Sequence, residues 1–83
     1  MNERTIKVSA SLEARLAAMF VQAASKFAAE IHVQLDNKKV NAKSIMGMIS
    51  IGILDGQTIT LIANGNDGKE AIEELSKFFA PVS

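Results

Sequence analysis

The sequence predicts an α+β protein in the order βαββαβα, an open sheet with helices covering one face. Apolar and polar residues alternate in three separate short runs, as they do in strands with one buried side. In two longer runs apolar residues return every three or four positions, as they do along the buried stripe of a helix. Turn-forming residues separate these runs, and the helices fall between strands, which suits two layers burying their apolar faces against each other.

Taking the elements in order, Ile6 and Val8 alternate with Thr5, Lys7 and Ser9 in a first strand. Leu16, Met19, Phe20, Ala23, Ala24 and Phe27 then line one face of a first helix. Ile31, Val33 and Leu35 alternate with Glu30, His32 and Gln34, and the polar turn Asp36-Asn37-Lys38 leads into a short strand around Val40, making a β-hairpin. Ser44 stands where a serine caps a short helix holding Ile45, Met46, Met48 and Ile49, with Gly52 placed to end it. Asp55-Gly56 is the next turn. Ile59, Leu61 and Ala63 form the inward side of a last strand, opposite Thr58, Thr60 and Ile62. After Asn64-Gly65-Asn66, Asp67 and Glu70 have capping-box spacing, and Ile72, Leu75, Phe78 and Phe79 give the final helix its stripe up to Pro81. No repeat, linker or low-complexity stretch divides residues 1–83, so the expectation is a single domain.

Composition narrows the function. The 83 residues contain no cysteine, which removes disulfides, thiolate metal sites and a cysteine nucleophile from consideration and is compatible with a cytoplasmic setting. Nine basic and nine acidic side chains cancel, leaving no long-range field to gather nucleic-acid phosphates; a protein partner is the expectation, with no direct nucleic acid. No apolar run is long enough to span a bilayer, and the opening Met1–Ala10 segment has no signal-peptide pattern, so no membrane is expected.

Catalytic chemistry has little to work with. Glu70, Glu73 and Glu74 read as the solvated side of the last helix. His32 sits on the solvent side of a strand without the companions that metal binding or acid–base work requires, so no metal, no cofactor and no enzyme activity are expected. Two segments stand out, each at the start of a helix, where unpaired amides favour anions: Ser11-Leu12-Glu13-Ala14-Arg15-Leu16-Ala17, and the run from Asn41 to Ile53.

The second segment, Asn41-Ala42-Lys43-Ser44-Ile45-Met46-Gly47-Met48-Ile49-Ser50-Ile51-Gly52-Ile53, resembles the regulatory-serine motif of the HPr family. These are the phosphocarriers of the bacterial sugar phosphotransferase system and their Crh-like relatives in catabolite repression. The resemblance runs from the first strand through Thr60-Leu61-Ile62-Ala63-Asn64-Gly65 to the last helix. It implies the HPr-like open-faced β-sandwich, with a four-stranded antiparallel sheet carrying helices on one face.

In that family a histidine in a G-[IL]-H-A-R-P-A motif carries phosphate. The matching stretch here keeps Ala14, Arg15 and Ala17, but Glu13 stands at the histidine position, Leu16 at the proline and Ser11 at the glycine, in a shorter loop. The resemblance therefore implies loss of the phosphocarrier step. Glu13 has three readings: a fixed negative charge imitating a phosphorylated site, a plain capping carboxylate, or an acyl-phosphate acceptor. The serine matching Ser44 is the target of HPr kinase/phosphorylase in the family, and its phosphorylated form acts on the transcriptional regulator CcpA. The rival reading leaves Ser44 as a cap only.

By the same resemblance Ile45, Met46 and Ile49, with Lys43 and with Arg15 and Ala18 of the first helix, correspond to an exposed docking surface. From periodicity alone an Ile/Met stripe reads as core, and only the resemblance points to an exposed surface. Three functions stay open: a non-carrier regulator working through Ser44 phosphorylation, a phosphocarrier working through Glu13, and an interaction module without phosphorylation. The edge strands of a small open sheet also allow a homodimer.

Overall fold

The computed structural model describes residues 2–9 and 11–79. Among them run β1 (Asn2–Lys7), α1 (Ala14–Ala24), β2 (Glu30–Leu35), β3 (Lys38–Asn41), α2 (Ile45–Ile51), β4 (Thr58–Asn64) and α3 (Gly68–Ser76). Element number, type and order match the sequence expectation. The strands form one sheet in the order β1-β4-β2-β3, every neighbouring pair antiparallel.

The register explains the alternation. Ile6 lies opposite Ile59, Leu61 opposite Val33, Ala63 opposite Ile31, and Val33 opposite Val40, so the apolar positions of all four strands collect on one face. The helices cover that face. α3 packs on β4 and β1, α2 on β3, and α1 on both other helices. Phe20 of α1 is fully buried, with Phe78 edge-on at 5.5 Å between ring centroids and Phe79 tilted at 5.1 Å. Aromatic pairs favour such offset geometries over face-to-face stacking.

Three local expectations are corrected. The buried face of α1 is Ala17, Phe20 and Ala24, with Leu16 and Ala23 at its margin; Met19 is 49% exposed, and Phe27 lies beyond the helix end. Methyl-sized side chains at positions 17 and 24 face inward, turning the larger Met19 outward. Lys38 belongs to β3, paired with Leu35, so the hairpin turn is Asp36-Asn37 alone. Asp36 takes a φ of 55° there, a left-handed conformation that aspartate tolerates better than most residues. The Asp67–Glu70 capping box does not form: Asp67 sits at the N-cap of α3, yet its side chain makes no capping bond. Pro81, the helix stop expected from the sequence, lies outside the described residues.

The carboxylate of Asp67 instead reaches the connection between α1 and β2. Its Oδ2 accepts from the Ala28 amide at 2.8 Å and its Oδ1 from the Ala29 amide at 2.9 Å. Gly65 makes the approach possible. It has a φ of 153°, and a Cβ placed there would lie 2.8 Å from the Cα of Ala29.

Candidate functional site

Ser44 is the N-cap of α2. Its backbone is extended (φ −106°, ψ 115°), and its Oγ accepts from the Gly47 amide at 3.1 Å, while its carbonyl accepts the first helical bond from Met48 at 3.0 Å. One of the orphan amides of the first turn is thereby satisfied. Gly47 keeps the turn tight, since a Cβ there would press on Ser44 Oγ and Val40 Cβ, both at 3.3 Å. At the other end Gly52 takes a left-handed φ of 66°, the usual way to close a helix.

α2 divides sharply. Met48 and Ile51 are buried in the core, whereas Ile45 is 38%, Met46 74% and Ile49 49% exposed. α1 packs beside α2 and contributes exposed Arg15 and Ala18. Met19 and Gln22 follow at helical spacing on that same exposed side of α1. Of the docking residues expected from the sequence, Arg15, Ala18, Ile45, Met46 and Ile49 are thus solvent-facing on two packed helices. Met19 joins them although the sequence placed it in the core; the competing stripe through Ala17, Phe20 and Ala24 was the available signal.

Lys43 is differently placed. It is half-buried, its amide donates to Asn41 Oδ1 at 2.8 Å, and its Nζ donates to the Phe27 carbonyl at 2.7 Å. The ammonium thus lies against the segment that Asp67 clamps. The carboxyl of Asp67 is held below its ordinary value, chiefly by the Ala28 amide; partial burial opposes this, and the Ala29 amide, its own amide and the Lys43 charge reinforce it. Neither the Lys43 bond nor the Asp67 clamp was foreseen, and no local sequence signal marks a contact to so distant a backbone.

Glu13 occupies the N-cap position of α1 with extended backbone (φ −80°, ψ 173°). Its carbonyl accepts from Ala17 at 2.8 Å, but its exposed carboxylate makes no capping bond. The reading of Glu13 as a side-chain cap is therefore corrected; the preceding loop is held by other groups. Leu12 donates its amide to the Ile53 carbonyl at 3.0 Å, and Ser11 Oγ accepts from the Asp55 amide at 3.1 Å. Between those two anchors Leu54 is 58% exposed, an apolar surface residue that the sequence did not single out.

Among the described residues no cluster of three or more histidine, aspartate or glutamate side chains is arranged to hold a metal ion, and no helix is long and apolar enough to cross a membrane. His32 faces the open side of the sheet, paired with Asn41 and Ile62.

Comparison with known proteins agrees with this geometry. Residues 2–81 match the family described as PTS HPr component phosphorylation site. The HPr-like protein Crh of Halalkalibacterium halodurans is 55% identical over 73 residues, covering 88% of this chain and 87% of the relative. The crystal structure of a phosphocarrier protein HPr from Bacillus anthracis superposes with a TM-score of 0.89 at 44% identity, covering 94% of this chain and 95% of that one. Crh of Bacillus subtilis, crystallised as a domain-swapped dimer, gives a TM-score of 0.77 at 45% identity over 88% of this chain and 84% of its own. With a match along nearly the whole described length and the same sandwich, this chain belongs to the HPr family as a Crh-like member.

Proposed function

We propose that this chain is a cytoplasmic, non-enzymatic regulator of the phosphotransferase and catabolite-repression type that has given up the carrier step and acts by binding protein partners under control of phosphorylation at Ser44. The observation that carries the reading is the position of Ser44: a helix N-cap immediately beside exposed Ile45, Met46 and Ile49. A phosphoryl group there adds about −1.5 to −2 charge to the rim of an apolar surface and brings oxygens that accept from the first-turn amides. That changes which partners the surface fits without changing the fold.

The partners in this reading are an HPr kinase/phosphorylase, which modifies Ser44, and a CcpA-like transcriptional regulator, which reads the product. Arg15, Ala18, Ile45, Met46 and Ile49 make the contact. Lys43, half-buried and tied to Phe27, borders that contact. The Glu13 side chain is not the imidazole that carries phosphate in the family, and its carboxylate makes no capping bond to the helix, which supports a role as standing negative charge. The dimer formed by the Bacillus subtilis relative supports extending homodimerisation to this chain, a point that light scattering behind size exclusion reads directly.

The decisive experiment incubates the purified protein with HPr kinase/phosphorylase and ATP and compares intact masses of wild type and Ser44→Ala. One phosphate on wild type and none on the variant is the expected result. No gain on wild type, with a control HPr modified in the same tube, sinks the Ser44 reading and leaves an interaction module. Transfer of labelled phosphate from phosphoenolpyruvate through Enzyme I, lost in Glu13→Gln, would instead establish the carrier alternative.

A further inference from the structure

The chain has no cysteine, tryptophan or tyrosine, so its four methionines are the side chains that give up an electron pair most readily to a peroxide. Three of them lie among the described residues, and the fold sorts these three sharply. Met48 is 1% exposed, in the core, whereas Met19 is 49% and Met46 74% exposed; Met46 is the most open of the large apolar side chains on the described surface. Met46 and Met48 belong to the same short helix, α2, but two residues turn the chain by about 200°, which sends one thioether to solvent and the other into the core.

Both exposed thioethers stand on the surface assigned above to partner contact. Met46 is two residues past Ser44, in the first turn that the serine caps, and one helical turn before Ile49. Met19 continues the exposed side of α1 that carries Arg15 and Ala18, and α1 packs against α2. The other apolar residues of this surface, Ile45 and Ile49, are inert to peroxide. Leucine would supply as much apolar area at either methionine position; what methionine adds is a sulfur that can be made polar and then restored.

We propose that Met46, with Met19 on the neighbouring helix, is a reversible oxidation site through which peroxide controls the docking surface, an input separate from phosphorylation that rests on the partner-binding function proposed for Ser44 and its patch. A lone pair of the methionine sulfur attacks one oxygen of hydrogen peroxide; the S–O bond forms, the O–O bond breaks, and after proton transfer the second oxygen leaves as water. Sulfur is oxidised by two electrons and the peroxide is reduced by two. The sulfoxide oxygen is a strong hydrogen-bond acceptor, so burying it against an apolar partner strips its water without replacing it. Because both sulfurs already face solvent, the added oxygens remain hydrated in the free protein and the fold is kept. A methionine sulfoxide reductase reverses the step, the oxygen leaving as water while two thiols become a disulfide.

The test exposes the whole protein to hydrogen peroxide, removes the excess with catalase and maps the added oxygens by peptide mass. Met19 and Met46 should each gain one oxygen, Met46 at about 10-fold or more the rate of Met48, with the melting temperature unchanged. The treated protein then meets HPr kinase/phosphorylase and ATP. Its initial rate of phosphate uptake at Ser44 should fall by about 10-fold against untreated protein, and methionine sulfoxide reductases A and B should restore it. In the double variant Met19→Leu with Met46→Leu, compared with its own untreated form, peroxide should make no difference. Equal uptake by treated and untreated wild type overturns the proposal, as do oxidation of Met48 in step with Met46, failure of the reductases to restore uptake, and a peroxide effect that persists in the double variant. An untreated wild type that takes no phosphate is a distinguishable failure: it overturns the Ser44 reading itself, and the oxidation control falls with it.

Discussion

Asp67 joins two parts of the chain that are 39 residues apart, because both of its oxygens accept amides from the α1–β2 connection. Those amides, with Lys43 near by, stabilise the ionised carboxylate and lower its folded pKa below the ordinary 3.8. A depressed folded value means the contribution is complete above the unfolded pKa and disappears as pH falls through the folded one. Melting temperatures of wild type and Asp67→Asn should therefore differ by a constant amount near neutrality and converge in acid, below 3.8. A gap that persists unchanged through the acid range would show that packing, and not charge, is what Asp67 supplies. Gly65 belongs to the same junction. Its positive φ and the 2.8 Å approach of a Cβ to Ala29 make Gly65→Ala unfavourable in both backbone and contact, a loss of more than about 1 kcal/mol by urea denaturation.

Among the elements, α2 is the most dependent on its ends. It is only seven residues long, opened by Ser44 and closed by Gly52 in the left-handed conformation. So short a helix has little stability of its own and relies on its caps and on burial of Met48 and Ile51. Ser44→Ala should cost about 1 kcal/mol in chemical denaturation, whereas Ser44→Asp, which keeps an acceptor at the cap, should cost less. This matters for the phosphorylation test: the alanine variant must be shown folded before its failure to gain mass is read as loss of the acceptor. α1 depends more on what it packs against. Phe20 sits between Phe78 and Phe79, and Phe20→Ala should remove about 3–5 kcal/mol, enough to threaten so small a fold.

For the molecule as one body, the sheet order sets the hierarchy of stability. β4 is the last strand among the described residues yet has β1 on one side and β2 on the other, while β3 is an edge strand of four residues. Native-state hydrogen exchange should find the amides of β4 around Leu61 among the slowest and those of β3 and α2 markedly faster. If α2 exchanged only with global unfolding, the Ser44 segment would be part of the rigid centre, a poor place for a modification that changes partner choice.

Much of this was legible in the chain itself because the signals are local. Alternation over Ile31–Leu35 and Ile59–Ala63 identified strands and their buried side, since side chains in a strand must alternate faces. The Ser44 cap involves only the next three residues, so it too could be read from spacing. Tertiary structure decided the rest. Whether Met19 or Ala17 faced inward depended on how closely α1 approaches its neighbours, and alanine is too weakly apolar to declare its side. Asp67 had a local capping role available and took two backbone amides instead. The 16-residue reach of Lys43 to Phe27 and the exposure of Ile45, Met46 and Ile49 both depend on which surfaces the sheet and helices cover. A periodic pattern states that a residue has an apolar side, and only the packed fold determines what lies against it.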